Sequence, residues 1–175
     1  PRILKAMNRR GDIEEVKALL QYARERGFAL RTTFIVGFPG ETEEDFEALM
    51  AFVREVRFDR MGAFAFSPEE DTTAALLPDQ IDESVKQQRL SRLMALQQGI
   101  SRELNQQRVG SVCRVLVTGR QQGAYTGRSQ WEAPDADGLI LFDSVRRLTP
   151  GEFVQVRITG AEDYDLRGEA VEGDA

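Results

Sequence analysis

The sequence of 175 residues has no histidine and one cysteine, Cys113. Without histidine it lacks the usual general base, the usual transition-metal ligand and the usual activator of a serine or cysteine nucleophile. One cysteine excludes an internal disulfide and a cysteine-only metal site within this chain. Cys113 shares a strand face with Val115 and Val117, which predicts a small core residue rather than a reactive thiol. Reactive groups must therefore come from outside the chain.

Long apolar runs and excess positive charge are also missing. No run approaches the roughly 20 apolar residues that cross a bilayer, and we expect a cytoplasmic monomer without membrane association. The net charge is −6, with 15 basic against 18 acidic residues in 1–104 and 8 against 11 in 105–175. Nucleic-acid binding relies on excess positive charge, so this balance favours a basic protein as the macromolecular partner.

The first part of the chain alternates between helical and strand patterns. Helices are predicted over 13–23 and 43–56, and strands over 30–36 and 61–66. The order helix, strand, helix, strand is the repeating unit of a parallel α/β sheet. Because two strands cannot complete such a sheet, the pattern predicts the carboxyl-terminal part of a partial TIM-like barrel.

The second part of the chain has short alternating strands. A long helix is predicted over 82–109, with apolar positions that include Leu93 and Ile100 on one face. After it, five short strands suggest a small closed antiparallel barrel of the OB type, at residues 111–118, 124–129, 138–142, 153–159 and 166–171. The predicted domains are therefore 1–104, α/β with the exit helix, and 105–175, the β-barrel.

The turn that follows the first strand is the candidate ligand site. Ligands of α/β enzymes bind where strands end, and Gly37 lacks the Cβ that would keep a flat ring away from the backbone. Thr42 and Asp45 have capping-box spacing and predict the start of the next helix. A strand-turn-helix connection without a ligand explains the same pattern equally well.

Residues 4–10, 31–42 and 66–70 resemble the carboxyl half of the radical S-adenosylmethionine (SAM) domain of methylthiotransferases. The predicted barrel resembles their TRAM domain. Within that family, residues 127–129, 133–138 and 163–168 are most similar to the members that modify an aspartate of a ribosomal protein. The resemblance spans nearly the whole chain.

The resemblance implies SAM and two [4Fe–4S] clusters as cofactors. Their cysteine ligands, a Cys-x3-Cys-x2-Cys loop and a second set in an amino-terminal domain, are absent from this chain, so the chain alone is expected to be inactive. The implied reaction inserts a methylthio group at the β-carbon of an aspartate in a basic small-subunit ribosomal protein. A tRNA methylthiotransferase is the second interpretation, and a TRAM-type binding module without chemistry is the third.

By the same resemblance, Thr33, Val36, Gly37 and Phe66 are the candidate cofactor contacts. Arg9 is the candidate for a carboxylate of cofactor or substrate, or else a solvated loop cation. No catalytic residue and no metal ligand is predicted in the chain.

The barrel supplies the candidate substrate contacts, Arg128, Trp131 and Tyr164, because these residue types dominate interface energetics. A lone tryptophan in a small barrel is often core, and that alternative stays open for Trp131. Six acidic residues either form a negative rim for a basic partner or stabilise turns: Glu132, Asp135, Asp137, Glu162, Asp163 and Asp165.

Overall fold

The computed structural model describes residues 2–9 and 11–171. The chain divides into two compact units, residues 1–100 and residues 101–175. None of the described helices is long and apolar enough to cross a membrane.

The first unit contains the predicted alternation of helices and strands. Its elements are α1 (Arg2–Ala6), α2 (Ile13–Glu25), β1 (Arg31–Val36), α3 (Glu43–Val56), β2 (Arg60–Ala65), a short 3-10 turn (Thr73–Leu76) and α4 (Glu83–Gln107), which continues past residue 100. Strands β1 and β2 pair in parallel, with Arg31 opposite Arg60 and Val36 opposite Ala65. The predicted partial α/β sheet is confirmed.

The two faces of this sheet differ in their cover. On one face Phe34 meets the rings of Phe52 and Phe58 at 6.3 and 5.8 Å, and Val36 is fully buried. Alternate strand residues point to opposite faces. Ile35 and Phe64, opposite each other in the register, share the other face and remain 42% and 63% exposed. We call this second side the open face.

Helix α3 starts at the predicted capping box. The Thr42 hydroxyl accepts the Asp45 N–H at 3.3 Å, and the Asp45 carboxylate accepts the Thr42 N–H at 3.0 Å. The helix ends at Arg57, which has a left-handed backbone with φ 54°. Phe46, Met50 and Val53 then form its buried stripe, at the spacing of an amphipathic helix.

Helix α4 buries polar residues together with apolar ones. Leu93 and Ile100 are buried as predicted, but Lys86, Arg89 and Gln97 are also at most 5% exposed. The Gln97 side chain donates to the Phe58 carbonyl at 2.8 Å, which links the helix to the segment before β2. Hydrophobicity alone therefore describes only part of the buried face of α4.

Gly99 offers a test of the α4 assignment. A Cβ added at Gly99 would meet nothing within 4 Å, and glycine in a helix interior costs roughly 0.5–1 kcal/mol relative to alanine. Gly99→Ala should therefore raise the free energy of unfolding by about that amount in urea denaturation. Gly27 is the matched control, since its Cβ also has open space but its φ is +76°. Gly27→Ala should destabilise, and a stabilising effect there would contradict the backbone argument.

The second unit is the predicted barrel. Its strands are β3 (Val112–Gln121), β4 (Ala124–Arg128), β5 (Ile140–Asp143), β6 (Phe153–Ala161) and β7 (Leu166–Val171). They close in the order β3-β4-β5-β7-β6. The one difference from an antiparallel barrel is the β5–β7 pair, which is parallel because β6 intervenes in the chain and reverses its direction.

The barrel core consists of the inward residues of every strand. Val115, Val156, Ile158 and Ile140 are fully buried in one cluster, and Cys113 packs against it half-buried. Burial is the main reason that the pKa of the Cys113 thiol is raised above its ordinary value. Cys113 therefore packs against the core as predicted, and its raised pKa disfavours the thiolate form.

Candidate functional site

The carboxyl ends of β1 and β2 bring three of the predicted cofactor contacts together. The Phe66 N–H donates to the Val36 carbonyl at 2.8 Å, and Gly37 follows Val36 directly. The Phe66 ring lies 5.2 Å from that of Phe38. Thr33 lies further back along β1, exposed and opposite Gly62. Val36 is fully buried, so only its backbone is available to a ligand.

Gly37 needs to be glycine, but for a reason other than the expected one. Its φ is +72°, a conformation that favours glycine. A Cβ at this position would collide with Cγ of Lys86 and would lie 3.2 and 3.3 Å from Lys86 Cβ and Cδ. The space that the sequence suggested for a flat ligand ring is therefore filled by the lysine stem. Whether Gly37 contacts a cofactor stays a prediction.

A buried ion pair supports the same turn. Glu41 and Arg89 are 6% and 5% exposed, and Arg89 Nη1 donates to Glu41 Oε1 at 2.8 Å and to the Glu41 carbonyl at 3.2 Å. Glu41 Oε1 also accepts the Gly37 N–H at 3.0 Å. Burial raises the pKa of Glu41, against the opposing influence of that N–H and of Arg89. The pair ties α4 to the turn after β1.

Arg9, which was predicted to bind a carboxylate, is exposed just beyond α1. Its backbone N–H donates to the Leu4 carbonyl at 2.8 Å. The arginine that reaches the turn is instead Arg2, which donates to the Gly40 carbonyl at 2.7 Å and pairs with Asp45. Sequence reasoning missed this contact between Arg2 and the turn, because a single exposed-looking arginine gives no signal.

The predicted partner contacts lie on two neighbouring segments of the barrel unit. Arg128 ends β4, and Trp131 is half-buried just after it. The backbone N–H of Trp131 donates to Ser129 Oγ at 3.2 Å. Tyr164 is 47% exposed on the loop between β6 and β7. The two segments touch at Gly138, whose Cβ would lie 2.6 Å from the Tyr164 carbonyl carbon. The structure therefore brings the Trp131 and Tyr164 segments to one region.

The end of α4 holds both segments. Arg108 Nη1 pairs with the buried Glu132 carboxylate at 2.5 Å, and Arg108 Nη2 donates to Ser129 Oγ at 3.1 Å. Asn105 Nδ2 reaches the backbone carbonyls of Glu162 and Asp163, each at 3.3 Å. Trp131 and Tyr164 thus lie on loops that are held by residues at the end of α4 and directly after it.

The expected acidic rim is largely used inside the fold. Glu132 is 6% exposed, so it is not part of a rim. Asp137 accepts the Ala133 N–H and Asp165 accepts the Leu139 N–H, both at 2.7 Å. These three carboxylates stabilise turns, which was the alternative left open by the sequence. Of the remaining three, Glu162 pairs with Arg167 at 2.8 Å, Asp163 lies 3.8 Å from Arg102, and Asp135 is exposed.

The residues of the chain do not fit an iron–sulfur cluster. Such clusters are held by cysteine thiolates, and the chain has one cysteine and no histidine. Within residues 2–9 and 11–171, no group of three or more His, Cys, Asp or Glu side chains is placed to hold a metal ion.

The open face presents apolar and polar side chains together. It presents the exposed Ile35 and Phe64 side chains beside the polar Thr33. Ligand sites are commonly apolar with a few polar groups.

Comparison with known proteins agrees with both units. The family model of the radical SAM superfamily matches residues 1–53, and the family model of the TRAM domain matches residues 109–171. The chain is 51% identical to the ribosomal protein uS12 methylthiotransferase RimO of Pelotomaculum thermopropionicum, over 97% of this chain and 39% of that protein. It is 48% identical to the RimO proteins of Desulforudis audaxviator (95% of this chain, 37% of that protein) and Clostridioides difficile (97% and 39%). The chain thus spans roughly two fifths of the length of these relatives.

Proposed function

We propose that this chain, which belongs to the RimO family of radical SAM proteins with a TRAM domain, is part of a methylthiotransferase. The proposed reaction adds a methylthio group to the β-carbon of an aspartate in ribosomal protein uS12. The observation that carries this proposal is the identity of 51% over 97% of the chain, which includes both units. Sequence similarity of that extent, rather than fold, supports a shared function.

The first unit would hold SAM against the open face and the carboxyl ends of β1 and β2. Thr33 would contribute its hydroxyl, Val36 and Gly37 their backbone, and Phe66 its backbone and ring. When bound, SAM supplies radical chemistry in members of this superfamily, together with an iron–sulfur cluster. The chain contributes positioning: the Glu41–Arg89 pair fixes the turn, and the apolar cover of the sheet excludes water from its other side.

A protein that contains this chain together with the cluster-binding region tests the activity. After anaerobic reconstitution with iron and sulfide, and with a chemical one-electron reductant and excess sulfide present, it should cleave SAM and add a methylthio group to an aspartate of uS12, detected by mass spectrometry of the digested protein. The 175-residue chain alone should show no iron–sulfur absorbance, because it has one cysteine. Methylthiolated tRNA with unmodified uS12 would favour the tRNA alternative. Stoichiometric iron and sulfide in the chain alone would contradict the assignment of the cluster ligands.

The barrel unit would bind the ribosomal protein through Arg128, Trp131 and Tyr164. Trp131 and Tyr164 are aromatic side chains on fixed loops, and such anchors lose little conformational entropy on binding. Residues 105–175, which include all five barrel strands, contain 8 basic and 11 acidic residues, and this balance disfavours a polyanion such as tRNA. A protein partner with excess positive charge therefore suits this unit better than RNA.

We predict that the 175-residue chain binds uS12 more tightly than tRNA, and that the preference shrinks as salt rises. Trp131→Ala should cost roughly 2 kcal/mol of binding free energy to uS12, or about 30-fold in Kd. Tyr22→Ala is the matched control, since Tyr22 is an exposed aromatic of the first unit and should leave Kd unchanged. Fluorescence titration at two salt concentrations provides the measurement. Tighter binding to tRNA at physiological salt would make the tRNA interpretation the better one.

Asp135 provides the charge test. It is exposed, and Asp135→Lys should slow association with uS12 and raise affinity for tRNA. Asp137→Lys is unsuitable, because it would also remove the acceptor for the Ala133 N–H and disturb the loop. Stopped-flow association rates measure the effect, and a rate that is insensitive to Asp135→Lys would remove this carboxylate from the interface.

A further inference from the structure

Lys86 is a buried cation at the carboxyl edge of β1 and β2. It lies in the first turn of α4 and is 5% exposed. Its stem fills the space that any other side chain at residue 37 would need. The amine Nζ lies 5.6 Å from the centroid of the Phe66 ring, which directly follows β2. Glycine at 37 therefore leaves room for the lysine stem at this edge.

The Lys86 amine has a surface carboxylate as its ion-pair partner. Nζ lies 3.3 Å from Oε2 of Glu83, whose side chain is 66% exposed, while that of Lys86 is 6% exposed. The other Glu83 oxygen accepts Gln87 Nε2 at 2.7 Å. An ammonium group has three donors, and burial of a charge is costly unless it is well compensated. An exposed carboxylate compensates poorly, because solvent screens the pair.

The two neighbouring arginines each have a backbone carbonyl and a carboxylate as acceptors. Arg89 binds Glu41 through the carboxylate and the backbone carbonyl, and Arg2 binds the Gly40 carbonyl and Asp45. Lys86 differs from Arg89, which also has the buried Glu41 as a partner, because the Lys86 amine pairs with a carboxylate whose side chain is 66% exposed.

We propose that Lys86 binds a carboxylate of the ligand at this edge, and that Glu83 occupies the amine until that carboxylate replaces it. The inference rests on the proposed function, under which two ligands carry such a group. One is SAM, through the carboxylate of its methionine part, and the other is the protein substrate, through the side chain of the modified aspartate. Both offer the same chemistry to the amine, a charge-assisted hydrogen bond in a site of low polarity.

The first experiment measures SAM binding to the full-length, cluster-reconstituted protein by equilibrium dialysis. If the methionine carboxylate is the ligand, Lys86→Met should weaken SAM binding about 10- to 100-fold and leave the binding of decarboxylated SAM unchanged. Lys86→Arg should retain part of the affinity. Lys5→Met removes an exposed cation and serves as the control, with unchanged binding.

The second experiment uses peptides of the uS12 segment that carry either aspartate or asparagine at the modified position. If the substrate carboxylate is the ligand, Lys86→Met should leave the affinity for SAM intact. It should weaken binding of the aspartate peptide by the same 10- to 100-fold and change binding of the asparagine peptide little. Binding is measured by fluorescence anisotropy, so the result does not depend on turnover.

Glu83→Gln is a second variant that controls for misfolding. It removes the competing charge, so it should tighten binding of the carboxylate ligand by about two- to fivefold. Poor folding cannot produce that gain. The proposal is overturned if Lys86→Met, with a normal melting curve, changes neither ligand, or if Lys86→Met fails to fold and Glu83→Gln leaves both affinities unchanged. Failure of the wild-type protein to bind SAM or uS12 would instead refute the proposed function.

Discussion

Glu41→Ala should lower the free energy of unfolding of the first unit by roughly 3–5 kcal/mol, the range for removal of one partner from a buried ion pair. The reason is that Arg89 is 5% exposed and would lose its 2.8 Å contact with Glu41 Oε1. The Gly37 N–H would also lose its acceptor. Urea denaturation followed by far-UV circular dichroism measures the change.

Two further variants separate charge from hydrogen bonding. Glu41→Gln keeps an oxygen for the Gly37 N–H but removes the charge, so it should destabilise less than Glu41→Ala. Glu43 is the matched control: it also contacts Arg89, at 3.3 Å, but its side chain is 53% exposed. Glu43→Ala should have little effect, because solvent screens that pair. Equal losses for Glu41→Ala and Glu43→Ala would show that burial does not control the energetics here.

Local features of the fold could be predicted from the sequence because their causes are local. Thr42 and Asp45 are three residues apart, and their reciprocal hydrogen bonds start α3 where the spacing predicted. The alternation around Val115 and Val117 likewise gave the inward face of β3. Patterns of this kind depend on the helix and strand repeats, which can be recognised within a short stretch of sequence.

The supports of the candidate site could not be predicted, because they join distant parts of the chain. Arg89 meets Glu41 across 48 residues of sequence. Lys86 fills the space beside Gly37, which sequence reasoning had reserved for a ligand. A weak signal existed in α4, where Lys86 and Arg89 share the apolar face with Leu93. A charged residue on an apolar face has a partner, but the sequence does not say which one.

Acidic residues of the barrel show the same limit. Six carboxylates in two short segments are compatible with a rim or with turns, and composition cannot separate these roles. The structure separates them through single hydrogen bonds, such as that from the Leu139 N–H to Asp165. Such bonds depend on which loops are neighbours, which is a property of the strand order and not of either loop.

Gly138→Ala should destabilise the barrel unit by roughly 2–3 kcal/mol, at the upper end of the range for overpacking. The added Cβ would collide with the Tyr164 carbonyl oxygen and lie 2.6 Å from its carbon and 2.7 Å from Asp165 Oδ1. Backbone cannot move aside as a flexible side chain can. Gly138 has no positive φ, so the cost is steric and not conformational.

The same substitution should weaken uS12 binding, because it pushes apart the segments that carry Trp131 and Tyr164. We expect at least a tenfold rise in Kd for the full chain, under conditions where the variant is still folded. Gly119→Ala is the control, since its Cβ would meet Thr126 Oγ1 at an ordinary 3.5 Å and it also has no positive φ. It should change neither stability nor Kd appreciably. If Gly138→Ala lowers stability but leaves Kd unchanged, the partner does not bind across these two loops, and the assignment of Trp131 and Tyr164 to one interface is wrong.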